Sequence, residues 1–159
     1  FSEVFNCLPI AAVVGDKIFC VHGRISPNLE TLDDIKNVTR LMELPEEGLV
    51  CDLIWANPDN TIDNWGEYDE DEDSHEPHIC FGAYPVDKLL EKFGFDLFCR
   101  GHQAIMNGYE FPFFPKQTIV TVSSAPNFFG EYDNKGALLK INKELFCTFS
   151  LLEPFPLDE

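Results

Sequence analysis

Residues 10–23 read Ile10-Ala11-Ala12-Val13-Val14-Gly15-Asp16-Lys17-Ile18-Phe19-Cys20-Val21-His22-Gly23. Two apolar, β-branched runs flank Gly15-Asp16, a pair suited to a two-residue hairpin turn of type II′ with Gly first. The stretch therefore predicts an antiparallel hairpin that ends at a His beside a Gly. A second stretch, Leu97-Phe98-Cys99-Arg100-Gly101-His102, has the same plan. Loops at the ends of strands in a rigid sheet are where binding and catalytic groups are presented. A third such loop, Ser124-Ala125-Pro126-Asn127-Phe128-Phe129-Gly130-Glu131-Tyr132-Asp133-Asn134, follows the β-branched run 118–123. The three loops form the rim of a candidate site.

Working outward, Thr31 is a candidate N-cap for a helix within 32–41. Residues 49–55 are a short apolar stretch closed by the turn Asn57-Pro58-Asp59-Asn60. Pro85 in the first turn, Leu89, Leu90 and Phe93 at helical spacing and Gly94 past the end mark a helix over 85–93. Residues 95–100 read as a buried strand, and 136–141 with 145–151 as a final hairpin around Asn142-Lys143. Strands outnumber the two helices and no fixed repeat is present, so the class is α/β or α+β. Glu67 to Glu76 holds seven carboxylates in ten residues and reads as a solvated loop. The tail beyond Leu152, with Pro154, Pro156 and terminal acids, reads as loosely held.

A length of 159 residues, 45% of them hydrophobic, suits one domain with a real core. The formal net charge of -17 repels phosphate backbones and anionic surfaces, which argues against nucleic acid and membranes as partners. The longest apolar run, Leu8 to Val14, falls short of the roughly 20 residues that span a bilayer. A soluble protein of the cytoplasm, the nucleus or both is the expectation, with the sequon Asn37-Val38-Thr39 idle. The six cysteines, at 7, 20, 51, 80, 99 and 147, form no C-x-x-C pair. They are expected to be free core thiols of a reducing compartment, with Cys20, Cys99 and Cys147 inside apolar strands.

His22 and His102 are the candidate metal ligands, each with an alternative as a hydrogen-bonded structural residue. Two imidazoles do not hold a catalytic metal alone, because a zinc-type site needs at least three protein ligands. Asp16 and Asp133 are the candidate additions, although both occupy turn-like contexts where Asp bonds locally. His75 and His78 read as solvated loop residues. Asp69-x-Asp71-x-Asp73 opens like an EF-hand loop, but Ser74 replaces its Gly and Cys80 its bidentate Glu. G-x-S-x-G, P-loop and G-x-G-x-x-G motifs are absent, and no Cys has an Arg six residues on. Side-chain nucleophiles thus have no support, and a metal-activated water stays open.

The collinear order of motifs narrows this further. Phe5-Asn6-Cys7-Leu8-Pro9-Ile10-Ala11-Ala12, Val21-His22-Gly23 with Ser26-Pro27, Cys51-Asp52-Leu53-Ile54-Trp55 and Trp65-Gly66-Glu67 come first. Phe81-Gly82, Arg100-Gly101-His102-Gln103, Gly108-Tyr109-Glu110-Phe111 and Ser124-Ala125-Pro126-Asn127 with Asp133-Asn134 follow. The chain resembles the C-terminal half of the phosphoprotein phosphatase (PPP) family of serine/threonine phosphatases, most closely the type-1 enzymes, over 1–152. The resemblance implies an α/β fold, the calcineurin-like metallophosphoesterase β-sandwich flanked by helices. It also implies a two-metal centre (Mn, or Fe/Zn) whose activated water attacks phosphoserine or phosphothreonine of protein substrates. His22 and His102 match ligands of the second metal, with Gly23 and Gly101 letting backbone approach the ions.

Several features depart from that pattern. The G-D-x-H-G, G-D-x-V-D-R-G and G-N-H-E motifs, which carry the first metal's ligands, a phosphate-binding Arg and the general-acid His, do not occur in this chain. The chain opens on Phe1, as though in mid-domain, and by itself is expected to be inactive. Arg24 replaces the second Gly of a His-Gly-Gly turn, where it would strain the loop or place a cation near the site. The Arg that precedes Phe81-Gly82 in the family is replaced by His75 within the acidic loop insertion 67–78, which should weaken phosphate binding. Phe128 stands for the family's substrate-contacting Tyr. Residues matching the groove in which type-1 enzymes dock hydrophobic motifs of regulatory subunits are Ile18, Leu97, Phe111, Val120, Leu145, Phe146, Cys147 and Phe149, which also suit ordinary core. Two further readings are a catalytically dead relative that binds regulators or substrates, and a non-functional fragment. Residues 153–159 form the tail.

Overall fold

The computed structural model describes residues 1–40, 45, 47–67 and 79–155. A short helix, α1 (Ser2–Phe5), precedes strands β1 (Ala11–Val14) and β2 (Ile18–Val21), which pair as the expected hairpin. Gly15 and Asp16 both have positive φ, 59° and 58°, and Lys17 N–H donates to the Val14 carbonyl at 3.2 Å. The turn is therefore type I′ and not II′. Its twist matches the flanking strands, and Asp tolerates the left-handed region that the second position requires.

Helix α2 (Leu32–Lys36) starts at the predicted cap, with the Asp34 carboxylate accepting the Thr31 N–H at 2.6 Å, and stops earlier than predicted. The apolar stretch 49–55 is a helix, α3 (Leu49–Trp55), because an apolar run of that length carries no period to separate helix from strand. Strand β3 (Asn57–Pro58) then occupies the first half of the predicted turn and pairs in parallel with β5 (Ile79–Phe81), which β4 (Trp65–Glu67) joins antiparallel. Helix α4 (Ala83–Phe93) begins two residues ahead of Pro85 and ends at Gly94, whose φ of 71° supplies the left-handed cap. Pro85 is still within the first turn, where its missing N–H breaks no helical bond.

Strands β6 (Leu97–Arg100), β7 (Tyr109–Glu110) and β8 (Ile119–Val122) complete a five-stranded sheet of order β1-β2-β6-β8-β7. Its three central strands are parallel, in a register that aligns Phe19 with Phe98 and Phe98 with Ile119. That row is almost wholly buried against Leu53 of α3, Phe81 of β5 and Val86, Leu89 and Leu90 of α4. The Phe19 ring lies 5.6 Å from that of Phe95 and 5.9 Å from that of Phe98, stacked on both. On the opposite face the hairpin of β9 (Gly136–Ile141) and β10 (Cys147–Leu152) is joined to the sheet by Phe149, stacked 3.7 Å from Tyr109.

No cysteine is in a disulfide, but the expected burial is corrected. Cys51 and Cys80 are buried, Cys20 and Cys99 are half-buried, and both Cys7, near the start of the chain, and Cys147, at the start of an outer strand, are exposed. Glu153, the first residue of the tail, pairs with Lys135 at 2.6 Å. The acidic insertion beyond Glu67, with His75 and His78, and the last four residues of the tail lie outside the described residues. Among the described residues no helix is long and apolar enough to cross a membrane.

Truncating Phe98, which is fully buried in the central row, is expected to cost about 3–5 kcal/mol in urea unfolding as Phe98→Ala. Val14→Ala, on an exposed strand end, should stay within about 0.5 kcal/mol. Equal losses would contradict this assignment of the core.

Candidate functional site at the carboxyl ends of the parallel strands

Because β2, β6 and β8 run parallel, their carboxyl ends open on one edge of the sheet, where open α/β sheets place their ligands. His22 follows β2, Gly101-His102 follow β6, and the loop from Ser123 to Asn134 follows β8. The His22 carbonyl accepts the Gly101 N–H at 3.0 Å, and the rings of His22 and His102 meet edge to face with centroids 5.2 Å apart. Trp55, closing α3, lies edge-on to His102 with ring centroids 5.8 Å apart. His102 has φ 70°, a left-handed conformation that costs a non-glycine residue on the order of 1 kcal/mol and clusters at functional sites.

Desolvation, followed by the positive charge of Arg100, lowers the pKa of both histidines. His102 falls to about 4, with His22 as a further cause, while His22 keeps more contact with solvent. Both imidazoles are therefore neutral at neutral pH, each with a lone pair to offer. Beneath them Arg100 is 2% exposed, and burial lowers its pKa to about 10, so it stays cationic. Its Nε donates to the Gly23 carbonyl, Nη1 to Gln103 and Thr121, and Nη2 to the Ala56 carbonyl and Asn57 Oδ1, at 2.5–3.2 Å. These five bonds use all five guanidinium N–H groups.

The loop after His22 is fixed from its other side by α3. Gly23 N–H donates to the Leu53 carbonyl at 2.7 Å, and a Cβ at Gly23 would collide with the Ile54 backbone. The close approach that Gly23 allows is thus between loop and helix, while a Cβ at Gly101 would make only ordinary contacts. Arg24 neither strains the loop, since its φ is not positive, nor presents a free cation. It is 2% exposed, ion-paired with Asp52 of α3, and its guanidinium lies 5.1 Å over the Trp65 ring. Ser26 Oγ donates to the second Asp52 oxygen, and Arg24 Nε has no hydrogen-bond partner among the described residues. In the third loop Asn134 donates to the carbonyls of Ala125 and Lys135 and accepts the Phe128 N–H, each at 2.9 Å.

The structure brings His22 and His102 together and adds no third ligand. Asp16 lies in the hairpin turn, at the other end of β2, and among the described residues no group of three His, Cys, Asp or Glu could hold a metal. Asp133 in the third loop is exposed. Two neutral imidazoles fit a divalent ion as part of its donor set and do not complete it. Phe128 meets Phe129 at 4.3 Å and Tyr132 at 6.2 Å in a partly exposed aromatic group. Of the eight groove positions, Ile18 and Val120 are buried, Leu97, Phe111, Leu145 and Phe149 are half-buried, and Phe146 and Cys147 are exposed. Sequence reasoning missed Trp55, the support from Arg100 and the Arg24–Asp52–Ser26 group. The available signal was a lone carboxylate, Asp52, inside the apolar run 49–55.

Asp52→Ala strands Arg24 without its carboxylate and should cost about 3–5 kcal/mol in chemical denaturation, whereas replacing both partners with apolar residues should recover most of the loss. The unfolded chain protonates His102 near 6.5 and the folded chain only near 4. Stability should therefore fall as pH drops through that window, less steeply in His102→Gln, and NMR titration should place the folded His102 well below 6.5.

Residues 1–106 match the family described as calcineurin-like phosphoesterase. The fold is similar to that of a protein serine/threonine phosphatase from Saccharomyces cerevisiae with similarity to human phosphatase PP5, with a TM-score of 0.83 at 22% identity. The match takes in 99% of this chain and 51% of the yeast chain, so this chain spans about half the length of that relative. The family match covers the β1–β2 hairpin, the parallel pair β2–β6 and both histidines at its carboxyl end, and with it the chain belongs to the calcineurin-like phosphoesterase family.

Proposed function

We propose that this chain supplies one side of a two-metal serine/threonine protein phosphatase centre of the type-1 kind. The observation that carries the reading is the pair of neutral imidazoles, His22 and His102, held 5.2 Å apart at the ends of adjacent parallel strands. These two nitrogen ligands would hold one divalent ion, manganese or an iron/zinc pair member. Bound divalent ions supply Lewis-acid activation of a water and of the phosphoryl oxygens. Trp55 and Arg100 act through the histidines, one by packing its ring edge-on against His102 and the other by fixing the loops that carry them. The remaining ligands, the general acid and a phosphate-binding Arg would come from the G-D-x-H-G, G-D-x-V-D-R-G and G-N-H-E motifs, and the chain by itself is inactive. Regulatory subunits with short hydrophobic motifs would dock beside Phe146 and Cys147, with Ile18 and Val120 as the floor.

A second reading, a relative that binds regulators without turnover, is favoured by one observation. Arg24 and Arg100 are both buried and engaged within the protein, so neither offers a guanidinium to a phosphate.

The deciding experiment joins the chain to a segment bearing the three upstream motifs and measures Mn²⁺ binding and hydrolysis of a phosphoserine peptide. The phosphatase reading expects turnover, with His102→Asn losing more than the roughly 10–100-fold that removal of an outer-sphere partner costs. Metal binding without turnover would reject it in favour of the binding reading, which also requires capture of docking-motif peptides.

A further inference from the structure

We propose that Cys20 and Cys99 are an oxidisable dithiol, closed to a disulfide by a peroxide and reopened by a small dithiol reductant. The two residues are register partners on the adjacent parallel strands β2 and β6, both free and both half-buried, so small oxidants reach them. As register partners on neighbouring strands, their side chains extend to the same face, opposite the Phe19–Phe98 row. Neighbouring strands stand about 4.8 Å apart. That separation falls inside the roughly 4.4–6.8 Å range of Cα distances that a disulfide spans. Cys51 and Cys80 are buried in other elements. Cys147 on β10 competes most directly, close enough to interact electrostatically with both sulfurs, but exposed and turned to the Leu145 carbonyl at 3.6 Å, while Cys7 is exposed near the start of the chain.

The chemistry balances with hydrogen peroxide as the oxidant. One sulfur attacks a peroxide oxygen, so that an S–O bond forms as O–O breaks, and the departing hydroxide takes the thiol proton to become water. The second sulfur attacks the resulting sulfenic acid: S–S forms, S–O breaks, and the oxygen leaves with the second thiol proton as another water. Two thiols and one peroxide yield one disulfide and two waters, with two electrons passing from the sulfurs to the peroxide oxygens. A dithiol reductant reverses the bond by exchange. Cys20 lies two residues before His22 and Cys99 three before His102, so the bond would tie together the roots of both histidine loops. Its effect on metal binding rests on the function proposed above; formation of the bond does not.

The test uses the purified 159-residue chain, reduced, exposed to hydrogen peroxide, alkylated and digested with trypsin. Peptides 18–24 and 93–100 each carry one of the two cysteines, and Cys147 falls in 144–159. The expected result is a linked 18–24/93–100 species that disappears after dithiothreitol and persists at undiminished yield in Cys147→Ser. In Cys99→Ser the oxidation should stop at a Cys20 sulfenic acid that dimedone traps. Full alkylation of both peptides in the oxidised wild type, linkage of either to 144–159, or loss of the bond in Cys147→Ser would overturn the proposal. Should Cys99→Ser fail to fold, the wild-type chain and Cys147→Ser decide it. Because no arm of this assay uses metal or turnover, its failure is separate from failure of the phosphatase reading.

Discussion

The parallel register of β2, β6 and β8 governs both halves of this protein's behaviour. Aligning Phe19, Phe98 and Ile119 in one row gives the helices α3 and α4 a continuous aromatic and aliphatic surface to cover. The same alignment brings the carboxyl ends of β2 and β6 level, so that residues far apart in sequence leave the sheet side by side. A slip of β2 by one residue against β6 would turn Cys20 toward the helices and carry the histidines to different heights. The packing that stabilises the core is thus the packing that sets the distance between His22 and His102.

Two buried arginines then hold the loops in place by different means. Arg100 is surrounded by neutral acceptors from four segments and completes every N–H, so it joins the ends of β2, α3, β6 and β8 without a carboxylate among its hydrogen-bond partners. Arg24 uses a carboxylate and an aromatic face and leaves Nε unmet among the described residues. Fully satisfied networks rigidify a site, whereas a partly satisfied ion pair is a weaker contributor to stability. Arg24 fits after His22-Gly23 because Asp52 and Trp65 form a well that accepts its side chain.

Much of this was legible in the residues. The β1–β2 hairpin, the strand before His102, helix α4 and the Thr31 cap all carry local signals, in alternation, turn residues and cap chemistry, that the tertiary structure respects. Residues 49–55 were not legible as a helix, because seven apolar-rich residues carry no usable period and the surroundings decide. The turn type depended on the φ of Asp16, which a Gly-Asp pair leaves open between two mirror types. The two histidines could be paired from their repeated context. Trp55 could not be found that way, since its ring reaches His102 from a separate element, α3, whose helical form the apolar run did not reveal. Burial of Cys147 was overestimated because an apolar run does not reveal whether its strand is central or outermost.

The way Arg100 is satisfied has an electrostatic consequence. A molecule with a formal net charge of -17 repels anions at long range, yet directly beneath its histidine pair it keeps a buried cation hydrogen-bonded to neutral groups. Added salt screens interactions between exposed charges beyond about 8 Å at physiological ionic strength and screens buried charges much less. Raising the ionic strength would therefore lower the outer barrier to an anion while leaving the local attraction largely intact. An approaching anion would then meet less repulsion in salt than out of it, the reverse of a protein that steers its ligands with a complementary surface.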